Sequence, residues 1–305
     1  MHDHAHNHGT GRVLVASLLL TIGFVVGEAI AGLRSHSLAL LSDAGHNLTD
    51  AAGLVLAGIA YLFQSRPGNH TKTFGYHRTG VLAAFTNALL LVALSAGLLY
   101  ESYQRLLSPE PVVESMMLWV AAIGLVLNVG IAWGLDSGRN DLNLRAAWIH
   151  MIGDAASCAA IMVGALIIKY TGWLAIDPVL SILIAAAIVW TAWDILKDSL
   201  NILLEGLPKG LSLPEVTRAI CQVSGVLDVH DLHIWSLGSN AHALSCHVLI
   251  DDMPPSESDS ILRRVNRVLD SMITESNLAN AAQPDKHRPP APMAGRALTQ
   301  LRPPI

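Results

Sequence analysis

Charge is what this sequence has least of: Lys, Arg, Asp and Glu together make up 14% of the 305 residues, where a soluble globular chain carries about 25%. Aromatics are also few, at 5%, and the 52% hydrophobic content is largely Ala, Val, Ile and Leu, as suits helices surrounded by lipid. Cys158, Cys221 and Cys246 are three cysteines, an odd number with no CxxC spacing. They exclude a disulfide framework and a Cys-type zinc finger, and read as small buried residues. The net charge of -5 gives no reason to expect a nucleic-acid partner. No HExxH helix is present, which argues against an intramembrane metallohydrolase, and no enzyme activity is expected. No apolar core followed by a small-residue cleavage site opens the chain, so no cleaved signal peptide is expected.

Against that background the polar residues inside apolar runs stand out. LLSDAGHNLTD places His46 and Asp50 four apart in a run long enough to cross a bilayer, and AAWIHMIGDAASCAAIMVGALII repeats the spacing with His150 and Asp154. Residues four apart share one helix face. An ionisable side chain at the bilayer centre costs about 2.5 to 3.5 kcal/mol, so two His-x-x-x-Asp pairs predict one shared four-ligand site. Two neutral imidazoles and two carboxylates suit a divalent cation with the tetrahedral preference of Zn2+. Two metal-free His/Asp pairs between helices are the plain alternative, and leave the duplication unexplained. Asp43, three before His46, is the nearest rival ligand. Gly45 and Gly153 beside the ligands would permit close packing or bending.

Apolar runs over Val13–Leu33, Leu38–Phe63, Gly80–Tyr100, Met117–Leu135, Ala146–Ile168 and Leu174–Leu196 predict six transmembrane helices across about 30 Å of hydrocarbon. Arg12, Arg66, Lys72, Arg78, Arg139, Arg145, Lys197 and Lys209 fall on the face of the termini, against Arg34, Arg105 and Lys169 on the other. The excess of positive charge puts both termini in the cytoplasm. Counted from the span ends, Asp50 and Asp154 lie about 18 and 21 Å below the outer face. The organisation expected is a His-rich cytoplasmic tail over 1–11 (His2, His4, His6, His8), a six-helix transmembrane domain over 12–205 and a cytoplasmic domain over 206–276. A Pro/Arg-rich tail over 277–305 is expected to be disordered. The cytoplasmic domain reads helix, strand, strand, helix: a ferredoxin-like α/β domain whose last strand has no sequence signal.

SLALLSDAGHNLTD, FGYHRTGVLAAFTNALLL, HMIGDAASC, DPVLSILIA and VHDLHIWSL together resemble the cation diffusion facilitator family, on its zinc-exporting branch, over about residues 12 to 273. The resemblance implies a homodimeric antiporter of the bacterial inner (plasma) membrane that exchanges cytoplasmic Zn2+ for protons, with Cd2+ or Co2+ as further substrates and no organic cofactor. It places the transport site on His46, Asp50, His150 and Asp154. It implies a loop site at His70 and His77, and a cytoplasmic, regulatory zinc site among His230, Asp231, His233 and His247. Strand parity sets His230 and His233 on opposite faces, which favours His230 with His247. Arg78 and Glu205 are expected to pair. A membrane-bound metal sensor or store without transport is the alternative function, and an intramembrane hydrolase using Glu28 comes third.

Overall fold

The computed structural model describes residues 22–136, 142–238, 241–281 and 298–302; the His-rich tail and most of the Pro/Arg-rich tail lie outside them. Helix α1 covers 22–35, followed by α2 (Leu38–Gln64), α3 (Thr79–Leu107), α4 (Glu114–Leu135), α5 (Leu142–Thr171) and α6 (Ile176–Leu203). Among the described residues four helices, α3 to α6, are long and apolar enough to cross a membrane. α2 is as long, but Ser42, Asp43, His46, Asn47 and Asp50 interrupt its apolar run. The helices carry their large apolar side chains outward, with Trp133, Trp190 and Tyr170 at least 80% exposed. An exterior of that kind belongs in lipid, and the chain is a multi-pass membrane protein.

Two compact units divide the chain: one holds the sequence through Leu56 with Thr86–Leu196, the other Ala57–Phe85 with everything from Lys197. In the first unit, small residues let helices approach. A Cβ on Gly124 would sit 2.9 Å from the Cys158 sulphur, and one on Gly164 would run into Leu180 Cδ1. Gly45 is pressed in the same way, 2.7 Å from Leu94 Cδ2. Gly153 meets nothing within 4 Å, so it permits no close contact there. Ala39, Leu40, Met117, Ala121, Ile161 and Ala165 form the packed core.

The start of α2 is fixed by a residue distant in sequence. His36 takes a left-handed turn at φ 57, and Asp177 at the start of α6 then receives the orphan donors of α2. Its carboxylate accepts from Ser37 Oγ at 2.6 Å, Leu38 N at 2.8 Å and Ala39 N at 3.2 Å. A carboxylate at a helix N-terminus satisfies open N–H groups and opposes the helix dipole. Arg105 donates to the His36 carbonyl and reaches Glu110 at 3.0 Å.

The second unit holds α7 (Leu213–Cys221), β1 (Val226–Gly238), β2 (Ala241–Ile250), α8 (Pro255–Ala281) and β3 (Leu298–Arg302), with sheet order β1-β2-β3. Pro214 opens α7 behind Ser212, although the serine side chain makes no cap bond. Gly225, at φ 94, makes the turn into β1. Val216 and Ile220 of α7 and Ile261, Val265 and Leu269 of α8 pack on Val229, Ile234, Leu244, Cys246 and Val248 of the sheet. β1 and β2 run antiparallel. β3 joins β2 in parallel, from Ser245 opposite Leu298 to Leu249 opposite Arg302. No final strand was expected from the sequence, and the tail beyond 277 was expected to be disordered. The difference has a plain cause: LTQLR is five residues without alternation, and it is the open backbone edge of β2 that recruits it.

Candidate metal centre

Helices α2 and α5 each present one His/Asp pair, one turn apart along the helix, and the pairs face each other. Asp50 Oδ2 lies 3.6 Å from His46 Nε2 and 3.1 Å from His150 Nε2. Asp154 reaches His150 Nε2 with Oδ2 at 3.6 Å and His46 Nε2 with Oδ1 at 3.9 Å. The imidazole rings meet edge to face, their centroids 5.8 Å apart. Zinc bonds of about 2.0 to 2.2 Å in a tetrahedron set ligand atoms roughly 3.4 Å from each other. The separations of Asp50 Oδ2 from the two imidazoles bracket that length. One ligand atom from each of His46, Asp50 and His150 falls within a 4.8 Å cluster; Asp154 stands beside it, reaching the two imidazoles with different oxygens. The site is graded in depth: the Asp154 side chain is 7% exposed and that of His150 43%.

Asp43, the rival ligand, is not among the grouped ligand side chains; its Oδ2 accepts from the Cys158 thiol at 3.6 Å. Cys158 sits one turn beyond Asp154 on α5 and was expected only as a buried residue; its spacing from Asp154 was the available signal.

A second cluster occurs on β1 and β2. His230 pairs across the strands with His247, their rings 5.3 Å apart. Asp231 Oδ2 lies 3.2 Å from His247 Nδ1, and the three residues form a ligand group within 4.8 Å. Parity had set His230 and His233 on opposite faces. That expectation is corrected: Asp231 takes φ 53 in a register shift that spends one residue between them. His233 then faces Ser245, on the same side as the His230 and His247 pair. The bulge also brings Asp231 to His247, which even alternation could not do.

His70 and His77 join no group of three ligand side chains among the described residues. His70 is exposed, and the His77 carbonyl accepts from Gln64 Nε2 at 3.2 Å. Arg78 and Glu205 do pair, at 3.0 Å. His77 and His233 both line a groove of about 900 Å3 that also carries Lys72, Tyr76, Arg78 and Trp235.

Comparison with known proteins identifies the two domains. The family model for the cation efflux transmembrane domain matches residues 14–204, and that for the cytoplasmic domain of cation efflux proteins matches 208–278. A cadmium, cobalt and zinc/H(+)-K(+) antiporter of Bacillus subtilis (strain 168) is 40% identical over 272 residues, 88% of each chain. The zinc transporter ZitB of Escherichia coli (strain K12) is 38% identical over 88% of this chain and 87% of its own. The metal cation efflux system protein CzcD of Cupriavidus metallidurans is 40% identical over 82% of this chain and 79% of its own. With both domains matched in order and relatives alike along nearly their full length, the chain belongs to the cation efflux family of membrane transporters, the cation diffusion facilitators.

Proposed function

We propose that the protein exports Zn2+ from the cytoplasm in exchange for protons, with Cd2+ and Co2+ as further substrates, through the site of His46, Asp50, His150 and Asp154. The convergence of those four side chains from two helices carries the reading. With both carboxylates ionised and both imidazoles neutral the empty site carries a charge of -2, which a divalent cation cancels. Protons and metal compete for the same lone pairs, so loading from one side releases protons and protonation from the other releases metal. Alternating access would come from α2 and α5 tilting against the remaining helices. The names of the relatives support antiport of this class of metal.

In this reading six helices cross a bacterial inner membrane, both termini are cytoplasmic, and the cytoplasmic domains join two copies in a homodimer. The His230, Asp231 and His247 group favours a second, sensing role for zinc on that domain. The test is zinc flux into vesicles containing the purified protein, with and without a pH gradient. Gradient-driven flux that Asp154→Ala abolishes supports the reading. Equal flux by the variant overturns it.

A further inference from the structure

Beyond its tie at Asp177, α2 is held a second time by groups that play no part in the ligand quartet. Ser42 Oγ lies 2.6 Å from Ser181 Oγ of α6, and Ser102 Oγ of α3 donates to the same Ser181 oxygen at 2.9 Å. All three serines are 0% exposed, so one buried hydroxyl cluster joins three helices. Ser42 stands one helical turn before His46, which stands one turn before Asp50. Between Ser42 and His46, Gly45 leaves no room for a Cβ against Leu94 of α3, so the backbones are close here. The cluster therefore sets where the ligand-bearing stretch of α2 lies against α3 and α6.

The two ties differ in kind. At the head of α2, Ser37 and two backbone N–H groups donate to a carboxylate, and hydrogen bonds to a charged acceptor are roughly twice as strong as neutral ones. Breaking that tie would leave a buried carboxylate and open helix donors without partners. The serine cluster is neutral, and side-chain hydrogen bonds between membrane helices add little net stability. When its bonds part, each hydroxyl can turn back to the carbonyl four residues earlier on its own helix, so no polar atom is orphaned. A separation of about 1 Å takes the 2.6 Å contact beyond hydrogen-bond range. The head is made to stay, and the cluster to open at small cost.

We propose that Ser42, Ser102 and Ser181 form a releasable latch, which holds the ligand segment of α2 against α3 and α6 in this conformation and opens when the site turns to the other side of the membrane. The inference rests on the transport reading and adds to it the contact that is made and broken with the change of access. None of the three serines is a ligand, so each is a positioning residue for the helix that carries His46 and Asp50. The latch stabilises one of two orientations, and weakening it moves the empty carrier toward the other. Only the competent fraction binds, so the KM for zinc then rises on the face where this conformation binds and falls on the opposite face. Loss of folded protein alone would lower the maximal flux and leave both KM values in place.

The first test fixes the latch shut. Ser42→Cys with Ser181→Cys, in the full-length chain carrying Cys221→Ser, places two thiols where the hydroxyl oxygens stand 2.6 Å apart, within reach of a disulfide. Oxidation with diamide should abolish zinc flux into vesicles while the protein keeps the bound zinc that Asp154→Ala lacks, and a phosphine reductant should restore the flux. Flux through either single-cysteine variant should not respond to the two reagents. In the second test, Ser181→Ala removes both bonds of the cluster. It should raise the KM for zinc on one face of the membrane and lower it on the other, by about three-fold or more on at least one. Full flux through the cross-linked protein, or KM values unchanged on both faces in folded Ser181→Ala, overturns the proposal. If no disulfide forms, Ser181→Ala decides alone; if Ser181→Ala does not fold, the cross-link decides. Undiminished flux by Asp154→Ala overturns the quartet reading instead, whatever the serine variants do.

Discussion

Both units of this protein bring two histidines to an aspartate, and they hold them in opposite ways. In the helical unit, His46, Asp50, His150 and Asp154 project from two helices, α2 and α5, the first of them tied at its head by Asp177. In the other, His230, Asp231 and His247 lie on an exposed sheet face, and a strained residue in a bulge completes the group. Removing a carboxylate from the first leaves charge and orphaned imidazoles in an apolar surrounding; removing one from the second leaves groups that water can solvate. Similar side chains therefore carry different penalties, and substitution should separate them.

The largest effect expected is on transport by Asp154→Ala, which should lower zinc flux on the order of 100-fold or more with the protein still in the membrane. Flux within a few-fold of the unaltered protein would erase the distinction between the clusters. Next comes the tie at the head of α2. Asp177→Asn keeps the shape but weakens three hydrogen bonds accepted by a carboxylate, and should cost about 2 kcal/mol in a thermal or denaturant unfolding measurement in detergent. A change below a few tenths would mean that α2 is not fixed there. On the sheet side, Gly225→Ala forces a side chain into φ 94 against Ile261 and should cost about 1 to 3 kcal/mol, read by the same unfolding measurement. His247→Ala should remove one bound zinc per chain while maximal flux stays within about two-fold, reflecting the open setting of the triad. Loss of flux equal to that of Asp154→Ala would make the two clusters one functional unit.

The smallest effect concerns cysteine. Burial pushes the Cys246 thiol up to about 11, above its ordinary value near 8.5. The folded chain then holds that proton while the unfolded chain loses it, so this thiol subtracts stability as pH rises from about 8.5 to 11 and subtracts nothing more above that. A maleimide at neutral pH should label exposed Cys221 and spare Cys246 and Cys158. Rapid labelling of all three would show that neither core is closed.

The two His/Asp pairs were legible in the sequence because α-helical spacing is rigid: i and i+4 place His46 with Asp50, and His150 with Asp154, whatever the tertiary context. The long apolar runs foretold helices on the same ground. The sheet was harder, since one extra residue reverses parity. Nothing in VHDLHIW marks Asp231 as left-handed, and without that turn His233 falls on the wrong side. β3 was invisible for a related reason: its place is determined by the free edge of β2, not by its own five residues.

Asp177 has one more consequence. By holding Ser37, Leu38 and Ala39 it makes the head of α2 a fulcrum and the rest of the helix a lever. His46 and Asp50 lie roughly 13 and 19 Å along that arm. A tilt of about 10° would leave the fulcrum in place and swing the two ligands by roughly 2 and 3 Å, more at the aspartate than at the histidine. A displacement of that size is comparable to a metal-ligand bond, so in the proposed transport cycle a small rotation about Asp177 would suffice to part His46 and Asp50 from a bound cation.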